Sequence, residues 1–213
     1  MSNPANLSTM LQIKSFVFGL FATNTYVVHD DRCVWIVDPA CCKDYEQEEL
    51  LQYVERVRSE GKTVRIVATH GHLDHLWGAK WATEQWQTPV LIHEADLPMV
   101  EAMQQQYDLF RIHRTAETFA VERLNEAANL PFTIIETPGH TPGSVCLYWP
   151  EEKVLLSGDT LFCMGYGRTD LPGGDTAQLI CSLSRLFDLP SDVTVYPGHG
   201  ETTKTCRLSG FRP

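Results

Sequence analysis

The chain has 213 residues and a formal net charge of −10, which excludes the clustered basic surface that sequence-independent nucleic-acid binding requires. Its length fits a single domain over residues 1–213, and no window approaches the roughly 20 apolar residues of a membrane span. Seven cysteines without a C-x-x-C pair indicate neither a disulfide framework nor a zinc ribbon, so we predict a soluble protein of the reducing cytoplasm.

Short runs rich in β-branched and aromatic residues dominate the start of the chain and predict three strands, at residues 12–18, 25–28 and 33–37. A helix is expected next, because Asp44 and Gln47 have the spacing of a capping box and precede apolar residues at helical spacing. Gly61 is the expected stop for this helix.

The rest of the chain alternates between strand and helix patterns. A strand, a helix and a strand are predicted at residues 64–68, 74–86 and 89–92. Residues 99–130 are more polar, and we predict that they are mostly helical. Three strands, a Gly-rich loop, a helix and a last strand follow at residues 132–136, 144–148, 153–156, 160–175, 176–187 and 193–196.

Candidate metal ligands follow directly on four separate strand-like runs. VRIVAT precedes His70, FTIIETPG precedes His140, KVLLSG precedes Asp159 and VTVYPG precedes His199. In open α/β sheets, function gathers in the crevice beyond the carboxyl ends of the strands. We therefore expect these side chains to share one site.

The densest of these segments has four potential ligands within six residues: His70, His72, Asp74 and His75. Gly71 permits a sharp turn, which would direct the first two to one metal and the last two to a second. Packing five histidines and two aspartates together without a cation would leave buried polar groups unsatisfied. The pattern therefore predicts two metals, with Asp38, at the end of another apolar strand, orienting a ligand from outside the coordination sphere. The other histidines, His29, His93 and His113, lack such neighbours and are expected at the surface.

The ordered motifs resemble the metallo-β-lactamase superfamily. They are His-x-His-x-Asp-His at 70–75, Pro-Gly-His-Thr-Pro-Gly at 138–143, Ser-Gly-Asp-Thr at 157–160 and Pro-Gly-His at 197–199, with Asp38 at the place of the family's early aspartate. The resemblance spans residues 26–199. It implies an α/β (α+β) fold, a four-layer αββα sandwich with the metals at one edge.

The resemblance also implies a role for each matching residue. One metal would be held by His70, His72 and His140, the other by Asp74, His75 and His199, with Asp159 bridging the two. An aspartate at the bridging position implies a hydrolase rather than a true β-lactamase. The expected nucleophile is a hydroxide shared by the metals, with Asp74 and Asp159 as the catalytic carboxylates. Zinc is the expected metal, with iron or manganese as alternatives.

The substrate is indicated by Gly-Arg-Thr-Asp at 167–170, which resembles short glyoxalase II-like (hydroxyacylglutathione hydrolase-like) thioesterases. That likeness implies hydrolysis of S-lactoylglutathione or a related small-molecule thioester. Arg168 is expected either to bind a substrate carboxylate or to form a buried structural pair with Asp170.

Two other readings of the sequence stay open. A persulfide dioxygenase of the same fold would use one iron at His70, His140 and Asp159, whereas a non-catalytic binding module would use metal only for stability. The complete second ligand set favours hydrolysis, and seven residues shared between two ions leave room for water. Residues 99–130 are expected to overhang the site and to set its specificity. The sequence predicts no oligomeric state.

Overall fold

Two β-sheets form the framework of the protein, whose computed structural model describes residues 11–58 and 61–205. The first sheet has six strands in chain order: β1 (Gln12–Phe18), β2 (Thr23–His29), β3 (Cys33–Val37), β4 (Thr63–Val67), β5 (Val90–Ile92) and β6 (Val121–Arg123). The second sheet has the order β13 (Thr203–Lys204), β12 (Thr194–Pro197), β9 (Val154–Gly158), β8 (Val145–Trp149) and β7 (Thr133–Glu136). A short hairpin, β10 (Leu161–Phe162) and β11 (Gly165–Tyr166), stands apart from both sheets.

Within the described residues, five α-helices accompany the sheets: α1 (Asp44–Val57), α2 (Ala79–Trp86), α3 (Leu97–Glu101), α4 (Met103–Leu109) and α5 (Thr176–Phe187). Strands β3 to β6 are mutually parallel, and β9 is parallel to β12, whereas the remaining pairs are antiparallel. Parallel strands end at the same edge of a sheet, so the loops that follow them lie side by side. No helix within the described ranges is long and apolar enough to cross a membrane.

Three buried clusters define the layers. The first packs α1 against one face of the first sheet, and Leu50 of the helix meets Ile36 and Ile66 there. The second lies between the two sheets, and the third packs α5 against the outer face of the second sheet. Along β2, Val27 belongs to the first cluster and Tyr26 to the second, as the two-residue period of a strand requires. The predicted αββα sandwich is confirmed.

Helix α1 begins at Asp44, and its cap differs from the prediction. Lys43 is the N-cap residue, and the buried carboxylate of Glu46 accepts hydrogen bonds from the backbone of Cys42 and Lys43. The predicted box of Asp44 and Gln47 is wrong by one residue. Glu46 rather than Gln47 is the third residue of the helix, and it is buried, where its other oxygen also accepts from Gly19 N.

The helix predicted from residue 74 begins only at Ala79, and residues 73–78 form turns instead. Gly78 explains the late start, because it packs against the loop after β3. A Cβ at this glycine would lie 2.4 Å from Cys41 Sγ and 3.0 Å from Pro39 O. Asp74 and His75 lie in the turns before Gly78. They therefore precede the helix instead of forming its first turn.

The prediction that residues 99–130 are mostly helical is wrong beyond Leu109. Arg111 has φ 55°, and the amide of Ile112 donates to Tyr107 O at 2.8 Å, which together close α4 with a Schellman motif. Residues 111–120 then run without regular structure to β6, whose Val121 pairs with Val90 of β5. Residues 160–175, predicted as a loop, contain the β10–β11 hairpin.

Candidate metal centre

The candidate ligands come together at one edge of the sandwich, beyond the ends of the strands. The loop after β4 carries four of them, the loop between β7 and β8 carries His140, and β9 and β12 lead into Asp159 and His199. Three overlapping groups place their ligand atoms within 4.8 Å of one another: His70, His72 and His140; His70, His75 and Asp159; Asp74, His75 and His199. We call these seven residues the ligand cluster.

The first group is a triangle of imidazole nitrogens. His72 Nδ1 lies 3.1 Å from His70 Nε2 and 2.9 Å from His140 Nε2. Nitrogens that coordinate one zinc tetrahedrally at about 2.0–2.1 Å are roughly 3.3 Å apart. The spacing of the three histidines is close to what a shared cation requires.

Asp74, His75 and His199 combine two imidazoles with a carboxylate, and we call them the second group. Asp74 Oδ2 lies 3.3 Å from His199 Nε2 and 3.5 Å from His75 Nε2. The hydroxyl of Thr23 donates to the same oxygen at 2.7 Å and so holds the carboxylate in place. This group is more open than the first, since the side chain of His199 is 27% exposed.

Asp159 reaches both groups. Its Oδ2 lies 3.5 Å from His140 Nε2 and 3.4 Å from His199 Nε2, and its Oδ1 lies 3.3 Å from His75 Nε2. A glycine makes this position possible, because a Cβ at Gly198 would lie 2.1 Å from Asp159 Oδ1. The carboxylate therefore has the position that a bridging ligand needs.

The tautomers of four histidines follow from the partners of their outer nitrogens. Nδ1 of His140 donates to the carbonyl of Arg168 at 2.7 Å, and Nδ1 of His199 donates to the carbonyl of Phe21 at 3.1 Å, because a carbonyl can only accept. Each of these rings, when neutral, presents the lone pair of Nε2 to the ligand cluster.

Asp38 fixes the other two rings. Its Oδ2 accepts from His75 Nδ1 at 2.9 Å and from the Thr69 hydroxyl at 2.8 Å, while its Oδ1 accepts from Thr69 N at 2.7 Å. Since the Thr69 hydroxyl donates to Asp38, its oxygen accepts from His70 Nδ1, 3.1 Å away. Carboxylate and hydroxyl partners of this kind orient metal-binding histidines and raise their basicity. Asp38 thus occupies the position predicted from the sequence.

Two buried atoms of the ligand cluster, His75 Nε2 and Asp159 Oδ1, have no hydrogen-bond partner among residues 11–58 and 61–205. They face one another at 3.3 Å. Buried polar atoms without partners are costly, and a cation between a nitrogen lone pair and a carboxylate would satisfy both. The residues present therefore fit a metal pair.

The two groups have opposite electrostatic character. Burial, together with the neighbouring imidazoles, lowers the pKa of His70, and burial and His140 lower the pKa of His72 to about 3. Burial would also lower the pKa of His199, but hydrogen bonds to Asp159 and Asp74 raise it to about 9. The first group therefore consists of neutral imidazoles, whereas the carboxylates of Asp74 and Asp159 favour positive charge at His75 and His199, which is the electrostatic environment that a cation would also occupy favourably.

A cleft of about 210 Å³ opens over the ligand cluster. Its walls include Phe21, Phe110 and Leu171, and Arg168 lies at its side. The side chain of Arg168 forms two short contacts with Asp170, from Nε at 2.6 Å and from Nη2 at 2.7 Å. This pair is 57% and 67% exposed, so the expectation of a buried structural pair is wrong. The pair lies at the surface because it belongs to the loop between β11 and α5.

The sequence motifs do not indicate Asp96, although its carboxylate joins two of the loops that carry ligands. Asp96 is fully buried, and its Oδ2 accepts from Gly71 N at 2.8 Å and from the Thr141 hydroxyl at 2.7 Å. Its Oδ1 accepts from Gly143 N at 2.6 Å. Burial raises the pKa of Asp96 although these three hydrogen bonds oppose the rise. The only local signal is a helix start, since Asp96 precedes Leu97 and Pro98.

Gln106 is a second residue that no motif indicates. Its amide oxygen accepts from Leu73 N at 2.9 Å, and its amide nitrogen donates to Gly71 O and Met99 O, both at 3.0 Å. Helix α4 is thereby attached to the loop that carries His72. The predicted overhang by residues 99–130 is therefore limited to the first part of that segment.

The histidines outside the ligand cluster have three different environments. His113 is exposed, and His93 is partly buried, where its Nδ1 accepts from the amide of Ala95. His29 is only 8% exposed, so the expectation of a surface position is wrong for this residue. Its strand, β2, lies between β1 and β3, and its ring packs beside Tyr53 of α1.

Known proteins share these features along most of the chain. The family model described as the Metallo-beta-lactamase superfamily matches residues 18–199. Hydroxyacylglutathione hydrolase GloC of Haemophilus influenzae is 32% identical over 86% of this chain and 88% of that protein. A crystal structure of TTHA1623 in a di-iron-bound form is 31% identical, with a TM-score of 0.82 over 94% of this chain and 98% of that one. A crystal structure of the BLEG-1 B3 metallo-beta-lactamase is 32% identical, with a TM-score of 0.81 over 95% and 98%.

Proposed function

The chain belongs to the metallo-beta-lactamase superfamily, and we propose that it is a thioesterase whose ligand cluster holds two divalent metal ions. The observation that carries the proposal is Asp159, which stands between two otherwise complete ligand groups at the base of an open cleft. The likeness to hydroxyacylglutathione hydrolase GloC supports a thioester as the substrate class.

The residues divide between the two ions as the resemblance implies. His70, His72 and His140 would hold one ion, Asp74, His75 and His199 the other, and Asp159 both. When bound, the ions lower the pKa of a coordinated water towards about 7 and polarise the substrate carbonyl. Zinc suits this mixture of imidazole and carboxylate, and the di-iron form of TTHA1623 makes iron the main alternative.

Residues outside the first coordination sphere have an orienting task. The carbonyls of Arg168 and Phe21 keep a proton on Nδ1 of His140 and His199, and Asp38 does the same for His75. The Nε2 lone pairs are therefore available without any rearrangement of the rings. Preorganised groups of this kind contribute to catalysis because they cost no reorganisation during the reaction.

The residues that line the cleft favour a substrate whose leaving group departs without receiving a proton. Of the described residues that line it, the titratable ones are the ligands and Arg168, and neither is suited to donate a proton to a departing amine. A thiolate departs without protonation, because the pKa of the corresponding thiol is about 8.5. The nitrogen that leaves an amide is far more basic as an anion, so it must receive a proton as it departs. The cleft thus suits a thioester better than an amide.

Arg168 is proposed to bind an anionic group of the substrate. Its guanidinium lies at the side of the cleft, 57% exposed, and remains charged at all relevant pH values. The pairing with Asp170 would hold the guanidinium in one orientation. A carboxylate on the thiol carrier is the class of group that such a guanidinium binds.

The test is hydrolysis of S-lactoylglutathione and of simple acyl thioesters by purified protein loaded with zinc, with thiol release as the readout. We expect turnover, and we expect His72→Ala to abolish it because the first group then has two ligands instead of three. Absence of thiol release while two metals are bound would refute the proposal.

Two parallel assays distinguish the alternatives. Oxygen uptake with glutathione persulfide by iron-loaded protein would identify a dioxygenase. Faster hydrolysis of a β-lactam than of any thioester would identify a β-lactamase, an outcome that the likeness to BLEG-1 makes worth measuring. Either result would replace thioester hydrolysis as the function.

A further inference from the structure

A second, smaller pocket of about 100 Å³ lies beside the cleft. Its walls are mainly apolar and come from α3, α4 and the loop before α5: Met99, Ala102, Leu109, Phe110, Leu171 and Pro172. We call this cavity the α3–α4 pocket. Six of the described residues that line it have apolar side chains, so it is suited to an apolar group.

Two amide side chains are among the residues that line the α3–α4 pocket, the exposed Gln105 and the half-buried Gln106. The amide of Gln106 is engaged by the backbone of Gly71, Leu73 and Met99. No charged residue lines the pocket within the part of the chain that the structure describes. Moving a hydroxyl or a charged group into such a place costs free energy unless a hydrogen bond replaces the lost water.

The α3–α4 pocket adjoins the cleft over the ligand cluster. His72, Phe110 and Leu171 line both this pocket and the cleft, so the two spaces share a wall. Arg168 lines the cleft but not the pocket. A substrate whose carbonyl lies at the ligand cluster therefore has an apolar space on one side and a guanidinium on another.

Resting on the proposed thioesterase function, we propose that the α3–α4 pocket binds the acyl group and selects a short apolar chain. A charged thiol carrier does not fit it, so the carrier lies towards Arg168 and the acyl group enters the pocket. An apolar cavity of about 150 Å³ accommodates the six carbons of benzene. At about 100 Å³, this pocket has room for about four carbons by the same scale.

The experiment compares kcat/KM for acetyl, lactoyl, butanoyl and octanoyl thioesters of one thiol, with metal-loaded protein. Butanoyl has two more methylenes than acetyl, and each buried methylene contributes about fourfold, so we expect butanoyl to exceed acetyl by roughly 15-fold. Butanoyl should also exceed lactoyl, which is one carbon shorter and brings a polar hydroxyl into a mainly apolar space. Octanoyl should gain nothing further because the pocket is full.

Three variants connect this preference to the pocket. Ala102→Phe fills the space and should reduce the ratio of butanoyl to acetyl below about threefold. Leu109→Ala, at a position that is 54% exposed and tolerant of change, should move the optimum to a longer chain. Glu101→Phe introduces the same side chain as Ala102→Phe at an exposed neighbour that does not line the pocket, and should keep the full ratio.

The outcomes separate this inference from the proposed function. Hydrolysis of all four thioesters at similar kcat/KM, or an unchanged ratio in Ala102→Phe, would overturn the acyl pocket and leave the thioesterase intact. Hydrolysis of none would overturn the thioesterase. In that case the acyl pocket is tested by calorimetric binding of unreactive methyl and propyl ketone analogues. Equal affinities would overturn the pocket. Tighter binding of the propyl analogue that is lost in Ala102→Phe would support it.

Discussion

The ligand cluster and the α3–α4 pocket share His72 but are built in different ways. The rings of His70 and His75 are at most 1% exposed, and hydrogen bonds fix both. The α3–α4 pocket is instead lined in part by Leu109, which is 54% exposed. Leu109 is the last residue of α4, a helix of only seven residues. The difference separates chemistry, which needs fixed geometry, from substrate choice, which needs only shape and apolarity.

The fixed geometry of the ligand cluster depends on two buried carboxylates outside it. Asp38 connects β3 with His70 and His75, and Asp96 connects the loop at Gly71 with the loop at Gly143. Changes near these carboxylates should therefore cost far more than changes at the exposed rim. This difference would be contradicted if a variant at the exposed edge of the cleft, such as one at Arg168, lost as much activity, metal or stability as a variant near the buried carboxylates.

The largest effect is expected from Gly198→Ala, which changes no ligand. The new methyl group would lie 2.1 Å from Asp159 Oδ1 and 2.8 Å from His75 Cε1, so the carboxylate must move. A displacement of about 1 Å in an active site costs roughly 100-fold in rate, and we expect at least that loss in kcat/KM together with loss of bound metal. Metal analysis and thioester assays measure both. Wild-type metal content and rate would show that the contact is not restrictive.

The next largest effect is expected from Asp96→Ala, measured as stability in urea. The change leaves Gly71 N, Gly143 N and the Thr141 hydroxyl without their acceptor. Buried unsatisfied donors cost about 1–3 kcal/mol each, so we expect a loss of about 3 kcal/mol or more.

Thr141→Val removes only one of these three donors and gives a graded comparison for Asp96→Ala. It should cost less than half as much. Equal losses for Thr141→Val and Asp96→Ala would contradict the view that the carboxylate joins two loops.

Asp38→Asn should have a moderate effect on metal binding. The asparagine can present its NH₂ group to His75 Nδ1, which favours the tautomer with a proton on Nε2 and removes the lone pair from the ligand cluster. Loss of such a partner typically weakens metal affinity by about 10- to 100-fold. Competition with a chelator measures the affinity, and Asp31→Asn, the same substitution at an exposed position before β3, is the matched control. Unchanged affinity in Asp38→Asn would exclude this orienting role.

The smallest effect is expected at the rim, from Arg168→Gln. The substitution keeps the backbone carbonyl that holds His140, and the lost ion pair is largely exposed. We expect metal content and unfolding midpoint to stay the same, while KM for a thioester with a carboxylate on its thiol rises by no more than about fivefold. Asp170→Asn is the companion variant, because it removes the pairing but leaves the guanidinium. A loss of metal from Arg168→Gln would contradict the distinction between rim and cluster.

The seven residues of the ligand cluster could be predicted because their signal is local. Each ligand motif directly follows a strand-like run, and the carboxyl ends of those strands meet at one edge. The same signal placed Asp38, which ends β3 and lies beside His75. The αββα layers followed from the family resemblance alone.

Other features could not be predicted because they depend on distant contacts. Asp96 meets Gly71, Thr141 and Gly143, which are 25 to 47 positions away in the chain. Residues 112, 116 and 119 have helical spacing, yet Arg111 adopts a left-handed conformation and the chain continues to pair with β5. In that segment tertiary pairing outweighs local periodicity.

The central claim is that Asp159 joins two metal sites, and elemental analysis tests it most directly. Protein purified without added metal, and again after saturation with zinc, should contain two divalent ions per chain, and His199→Ala should reduce this to about one. A wild-type chain that binds a single ion at saturation, with the same content in His199→Ala, would contradict the account.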